Sequence, residues 1–474
     1  MYRKNENKLE INNVEDILPI TQLQKSMLYS YLIDQDSYKY FEQWRYKIKG
    51  SIDVKLMIEA WDYVIQNNEL LRCVFRWENL KEPVQIILKS KKADIRKYDL
   101  RRINEKQNTA DKIALFEWKR RVNIQDDPIR IAFSIINDEE YEMIVTSHHI
   151  ILDGWSNAIV IKELLNCYTT LYNGQALSLR KKGRIKQYLK YQRDINNINH
   201  FGYWESMLSN YQHKPIKEVP ETAKQQYEYK ADIKKIVLGE SKSKDIAEFC
   251  REHSITVSVL MYVAWAILMT TYTGKYDVMF GITLSGRDVD VIGIEEMVGV
   301  FIKTLPLRLS LSNHQSIYDF LCKTQKLMFD IEAHKDIEYS DLLKILKDNL
   351  KLIMDTVIVM QNYPVDEQLL DTNASLKISL YSSFYEIESD ITIGIKAFGR
   401  NIDIEVLYNR FAFSDEYMEQ LCKRYYNIIL QITDKKDLEN CLVEDIIRKN
   451  VEIFIPICST VDDIEELNNL EYSF

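Results

Sequence analysis

Glycine is scarce in this chain, with thirteen residues in 474, and no two of them fall into a G-x-G-x-x-G or G-x-x-x-x-G-K-[ST] run. Backbone that wraps closely around phosphates needs such spacings, so nucleotide chemistry of either kind is not expected. The seven cysteines (73, 167, 250, 322, 422, 441 and 458) show no C-x-x-C pair. Scattered thiols of this kind fit a reduced cytoplasmic protein rather than a disulfide scaffold or a zinc site. Long apolar runs are missing, so no membrane span is predicted. Residues 1–17 carry mixed charge without an apolar segment, which argues against a secretory signal. An excess of basic charge is also missing: the formal net charge is −9, against a nucleic-acid binder that works through an overall basic surface. Locally, Lys181-Lys182-Gly183-Arg184 and Lys234-Lys235 are candidates for docking an acidic partner, the alternative being ordinary solvated lysines.

Hydrophobic content of 46% and charged content of 28% are those of a globular protein, and the length predicts two sizeable lobes. Thr21-x-x-Gln24 after Pro19 has capping-box spacing and starts a helix; a second helix is predicted over 54–66 and a strand over 69–77. Ile131–Ile136 and Tyr141–Thr146 flank Asn137-Asp138-Glu139-Glu140 and read as a hairpin. A polar, basic, glycine-marked stretch at 174–184 is the candidate lobe boundary. Beyond it, helices are predicted over 185–208, 242–253, 257–272, 316–331 and 414–432. Strands are predicted over 233–238, 278–284, 300–311, 356–361, 391–395 and 402–408. Strands and helices mix in both halves, so the class is α/β.

The most telling stretch is Ser147-His148-His149-Ile150-Ile151-Leu152-Asp153-Gly154-Trp155-Ser156. It joins the second hairpin strand to a helix whose apolar positions run from Trp155 to Leu171 and which stops at Asn173-Gly174. A histidine at the lip of a strand, in a loop closed by a carboxylate and a helix start, is where acid–base chemistry could sit. Adjacent histidines on a strand face opposite ways, which argues against a shared metal.

The pattern H-H-x-x-x-D-G resembles the active-site signature of condensation domains of nonribosomal peptide synthetases. Leu18–Leu28 is similar to the family's opening helix motif. Asn68-Glu69-Leu70-Leu71-Arg72-Cys73-Val74-Phe75 is similar to R-H-E-x-L-R-x-x-F, with Asn68 in place of histidine. Met297–Arg308 resembles G-x-F-x-N-T-L-P-L-R, with Lys303 in place of asparagine. Ser285-Gly286-Arg287 and Gln361-Asn362-Tyr363-Pro364 also match, and the resemblance covers about residues 14 to 445. It implies two chloramphenicol-acetyltransferase-like lobes in a V-shaped pseudo-dimer with the active-site tunnel between them. The N-terminal lobe would span 1–180 and the C-terminal lobe 181–445, with 446–474 a linker or acidic tail. The first motif follows Met1 so soon that a natural N-terminus is expected.

The implied reaction is attack of an amine on a carrier-tethered acyl or aminoacyl thioester. The resemblance gives His149 the assisting role, either as base or in positioning the amine; an ordinary histidine pKa of about 6.5 suits that task. Backbone N–H groups around Gly154 would face the oxyanion. His148 would be structural. Asp153 would either orient His149 or, as the family has it, pair with an arginine, for which Arg287 is the match. Trp155 would pack beneath the loop. Ser285, Lys303, Asn362 and Tyr363 are candidate contacts for substrate or pantetheine, Asn362 equally a turn former. No cofactor is expected on the chain itself: phosphopantetheine would come on donor and acceptor carrier proteins, with other synthetase modules as partners and no nucleic acid or membrane. The alternatives are a coenzyme-A-dependent acyltransferase or an ester-forming condensation of the same superfamily, and a non-catalytic platform that recruits partners to carriers. His149→Ala is expected to abolish activity and leave the fold intact.

Overall fold

Among the described residues the strands form three sheets, and central strands such as Ile129–Ile135 and Glu140–His148 are buried at nearly every position. The computed structural model describes residues 10–34, 38–195, 200–216, 231–347, 354–361, 376–385, 389–398, 401–434 and 437–451. Its first strands are β1 Val14–Pro19, β2 Phe41–Lys49, β3 Cys73–Arg76, β4 Val84–Leu88, β5 Ile95–Asp99, β6 Ile129–Ile135 and β7 Glu140–His148. The later ones are β8 Ala231–Val237, β9 Asp277–Leu284, β10 Lys303–Ser310, β11 Thr356–Met360, β12 Lys377–Tyr385, β13 Ile391–Phe398 and β14 Asn401–Asn409. The sheet orders are β1-β4-β3, β12-β2-β7-β6-β5 and β10-β9-β11-β13-β14-β8. The predicted hairpin is β6–β7, paired from Ile129↔Ser147 to Ile135↔Tyr141.

Each large sheet carries its own helical layer. In the first lobe the helices Val54–Asn67 and Gly154–Tyr172 pack on each other, burying Trp61, Val64, Leu164 and Tyr168. In the second lobe Val257–Thr273 is apolar on every side and buried from Val259 to Thr270, as a helix at the centre of a core must be. The helices Ile317–Ala333, Asp415–Thr433 and Val443–Val451 surround it.

The chain does not divide as simply as a boundary at 180/181 implies. Ile185 and Tyr188 still belong to the first core, whereas Trp204 belongs to the second. Val291, Met297, Val298 and Phe301 return to the first core, and β12 adds to the first lobe's sheet beside β2. Residues 446–451 complete a helix against the second lobe rather than start a tail; 452–474 lie outside the described residues.

Local differences have local causes. The predicted 185–208 helix is two helices, Ile185–Ile195 and Phe201–Leu208. The predicted 300–311 strand starts only at Lys303, because the Phe301 N–H is turned to Asp153. The capping box forms as predicted, with Gln24 N–H donating to Thr21 Oγ1 at 3.1 Å and Thr21 N–H to Gln24 Oε1 at 2.9 Å.

Candidate active site

The pairing register decides where the two histidines point. Residues directly opposite in an antiparallel pair share a face, and successive residues alternate. Phe41 is opposite His148, and Glu42 is opposite Ser147. His148 therefore goes to the Phe41 side, with ring centroids 5.1 Å apart and Tyr31 edge-on at 5.6 Å. His149, two residues past Ser147, goes to the Glu42 side, and its Nε2 lies 2.8 Å from Glu42 Oε1.

His148 is fully buried, and its Nδ1 accepts the Ile150 N–H at 3.1 Å. Burial, then the neighbouring His149, pushes its pKa down to about 3, so it is neutral with its proton on Nε2. His149 is the opposite case. Burial alone would lower its pKa, but the Glu42 carboxylate and the Leu152 carbonyl, 2.8 Å from Nδ1, together raise it to about 9. The ring therefore lies above the ordinary histidine value of about 6.5, and the Glu42 carboxylate is the main cause of the rise.

These shifts act on stability with opposite signs. The unfolded chain protonates His148 near pH 6.5 and the folded chain does not, so its contribution disappears as pH falls from about 6.5 toward 3. The His149 contribution is complete below about 6.5 and disappears as pH rises through about 9. Denaturant unfolding followed across this range is expected to give a flatter acid limb for His148→Leu and a flatter alkaline limb for Glu42→Gln. Limbs that keep the wild-type slope would contradict both assignments.

The loop is held by a network that crosses between lobes. Asp153 caps the helix Gly154–Tyr172 by accepting the Ser156 N–H at 2.8 Å. Its other oxygen accepts the Phe301 N–H at 3.0 Å. Arg287 Nη2 donates to Asp153 Oδ1 at 3.2 Å and to Ser156 Oγ at 2.8 Å, while Nη1 donates to the Ile294 and Met297 carbonyls. Ser156 Oγ donates to the Gly299 carbonyl at 2.7 Å. Of the two arrangements open for Asp153, the structure places it against Arg287. Gly286 has φ +64°, and a Cβ there would sit 1.8 Å from the Phe301 carbonyl oxygen, so only glycine brings this turn so close.

The remaining candidates are placed as follows. Gly154 is the first helical residue after the Asp153 cap. Trp155 is half-buried, lies 5.6 Å from the Arg287 guanidinium and donates to the Glu295 carbonyl. Ser285 Oγ accepts the Arg287 N–H at 3.4 Å, within its own turn. Lys303 is bound to Asp336, which also accepts from Tyr191, so its ammonium is already engaged. Asn362 and Tyr363 lie outside the described residues. Four of the basic candidates face carboxylates: Lys182 with Glu163, Arg184 with Glu15 and Glu69, Lys234 with Asp415 and Lys235 with Glu405; Lys181 is exposed.

Two contributors escaped the sequence reading. Glu42 shares the His149 site, and buried Gln24 donates to the Ile150 carbonyl inside the loop at 3.0 Å. A cavity of about 910 Å³ lies between residues 18–25, the helix Ile185–Ile195 and segments 300–305 and 335–342. Phe301 lines it and also bonds Asp153, which links the cavity wall to the loop; His149 does not line it. The sequence showed no dense basic cluster near the motifs, yet Lys25, Arg184, Lys186, Lys190 and Arg193 all line this cavity. Four of these cations face carboxylates: Lys25–Glu82, Arg184–Glu15, Lys186–Asp16 and Arg193–Asp194. No single helix among the described residues is long and apolar enough to cross a membrane.

A family model described as "Condensation domain" matches residues 14–440. Among curated proteins, tyrocidine synthase 2 of Brevibacillus parabrevis is 26% identical over 91% of this chain and 12% of its own length. Surfactin synthase subunit 3 of Bacillus subtilis (strain 168) is 27% identical over 90% of this chain and 34% of its own length. The chain thus spans only a fraction of these relatives. Solved structures share the fold, among them the following two. A four-domain nonribosomal peptide synthetase bound to AMP and glycine superposes with a TM-score of 0.76 at 15% identity, covering 93% of this chain and 34% of that one. The first condensation domain of the CDA synthetase gives 0.73 at 14% identity, covering 91% of this chain and 99% of that one.

Proposed function

Because this chain belongs to the condensation-domain family, we propose that it joins an acyl or aminoacyl thioester donor to an amine acceptor, with His149 handling the proton. The observation that carries this reading is the His149 ring, held at both nitrogens at the end of β7 in a loop that Arg287 ties to the second lobe. The amine nitrogen forms the new C–N bond, the C–S bond breaks, and the proton lost by nitrogen ends on sulfur. An imidazole beside a carboxylate is suited to moving that proton. The oxyanion of the tetrahedral intermediate would meet the start of the helix at Gly154, where the positive end of the helix dipole lies.

The relatives are synthetases, and we infer that donor and acceptor reach this chain on phosphopantetheine arms of partner carrier proteins, the arm being part of the substrate. A carrier raises the local concentration of its thioester and orients it. A coenzyme-A enzyme would instead need free cations for the nucleotide phosphates, and most cations at the cavity are paired. Carrier-bound donors are therefore expected to be used with a far higher kcat/KM than the same acyl groups on coenzyme A, measured by mass spectrometry of the products. Comparable values would favour the coenzyme-A acyltransferase, and product from neither donor would favour a recruitment platform.

A further inference from the structure

We propose that Glu42 is a positioning residue for His149, fixing the ring's direction and keeping it charged, so that the imidazole meets the substrates as a proton donor rather than a free base. This rests on the condensation reading for its consequence, but not for its geometry. The Leu152 oxygen has no hydrogen to give, so the 2.8 Å contact requires N–H at Nδ1. A lone pair at Nε2 would be repelled by a carboxylate oxygen at 2.8 Å, so one hydrogen lies between the two atoms, and the raised pKa of the ring puts it on Nε2. Both nitrogens are donors, and that is the imidazolium. Glu42 is itself fixed: its side chain is 5% exposed, and Oε2 accepts from the Trp44 indole at 3.4 Å.

The other titratable groups around the ring do not substitute for Glu42. Asp153 favours the charged ring, but it is paired with Arg287. His148, its neighbour on β7, is neutral and faces the other way. In the reaction, Nε2 would break its bond to Glu42 to give its proton to the departing sulfur, and the proton lost by the attacking nitrogen would restore the pair. The products are amide and thiol, and Glu42–His149 ends with the proton count it began with. An acceptor amine thus meets an enzyme already carrying the proton that the leaving group needs.

The test is a histidine-labelled NMR titration of the full chain, with the His149 signal assigned by its loss in His149→Gln. The ring is expected to titrate near pH 9 in the wild type and at or below about 6.5 in Glu42→Gln. Glu42→Asp, one methylene shorter, should fall between and serves as the test if the glutamine variant does not fold. A wild-type midpoint at or below about 6.5, or a midpoint that neither substitution moves, overturns the proposal. Amide formation by the wild type is scored separately. A ring that titrates near 9 in a chain that makes no amide leaves Glu42 its role and removes the reaction. A ring that titrates low in an active chain does the reverse.

Discussion

Alanine at His149 is expected to lower the single-turnover rate of amide formation by about 10²–10⁴-fold, the range over which a positioned proton-transfer group acts, and to destabilise the first lobe as well. The second effect differs from what the sequence alone led us to expect, that the fold would be indifferent. A small side chain at this position leaves Glu42, only 5% exposed, without its cation. Removing one partner of a fully buried pair typically costs about 3–5 kcal/mol; the His149 side chain is 26% exposed, so the cost here is expected to be smaller. Adding Glu42→Gln to His149→Ala is therefore expected to recover part of the lost melting temperature and none of the lost rate. That separation identifies the rate loss as chemical. If the double variant recovered stability and activity together, His149 would matter only through folding, and the assignment of chemistry to it would fail.

What the sequence made legible was local, and what it hid was register. The capping box at Thr21-x-x-Gln24, the β6–β7 hairpin and the helix that opens at Gly154 each depend on residues within a few positions of one another, and each forms where its spacing places it. The opposed directions of His148 and His149 follow from strand alternation and needed no partner. Glu42 was invisible because Phe41–Lys49 mixes aromatic, charged and apolar residues without clean alternation. It did not read as a strand, and its pairing with β7 is a contact about a hundred residues away in sequence. A signal was there: one acidic residue inside Tyr40-Phe41-Glu42-Gln43-Trp44 is costly to bury without a cation. The lobe boundary was hidden for a related reason. Val291–Phe301 carries core-forming apolar residues whichever core it joins, and the turn at Gly286, the Arg287 contacts and the bonds from Asp153, Trp155 and Ser156 send it to the first lobe.

Those Arg287 contacts set up the second large effect. Arg287→Ala and Asp153→Ala are each expected to lower stability by about 3–5 kcal/mol, as for a buried pair broken from one side. The double variant should cost more than either single change but less than their sum, by a coupling of about 1–3 kcal/mol. The shortfall is the shared term, the 3.2 Å contact between Nη2 and Oδ1, which can be lost only once. Other losses are private to each partner. Asp153→Ala removes the helix cap on Ser156 and the acceptor for Phe301 N–H, while Arg287→Ala frees the Ile294 and Met297 carbonyls. Ser156 Oγ touches Arg287 too, so a parallel cycle of Arg287→Ala with Ser156→Ala measures how much coupling runs through the hydroxyl. Strict additivity of Asp153 and Arg287 in equilibrium unfolding would mean that the charges stand close without acting on each other. If the coupling is found, activity should fall with it, because Asp153 closes the loop that carries His149 and its bond to the Phe301 N–H is lost when the loop is freed.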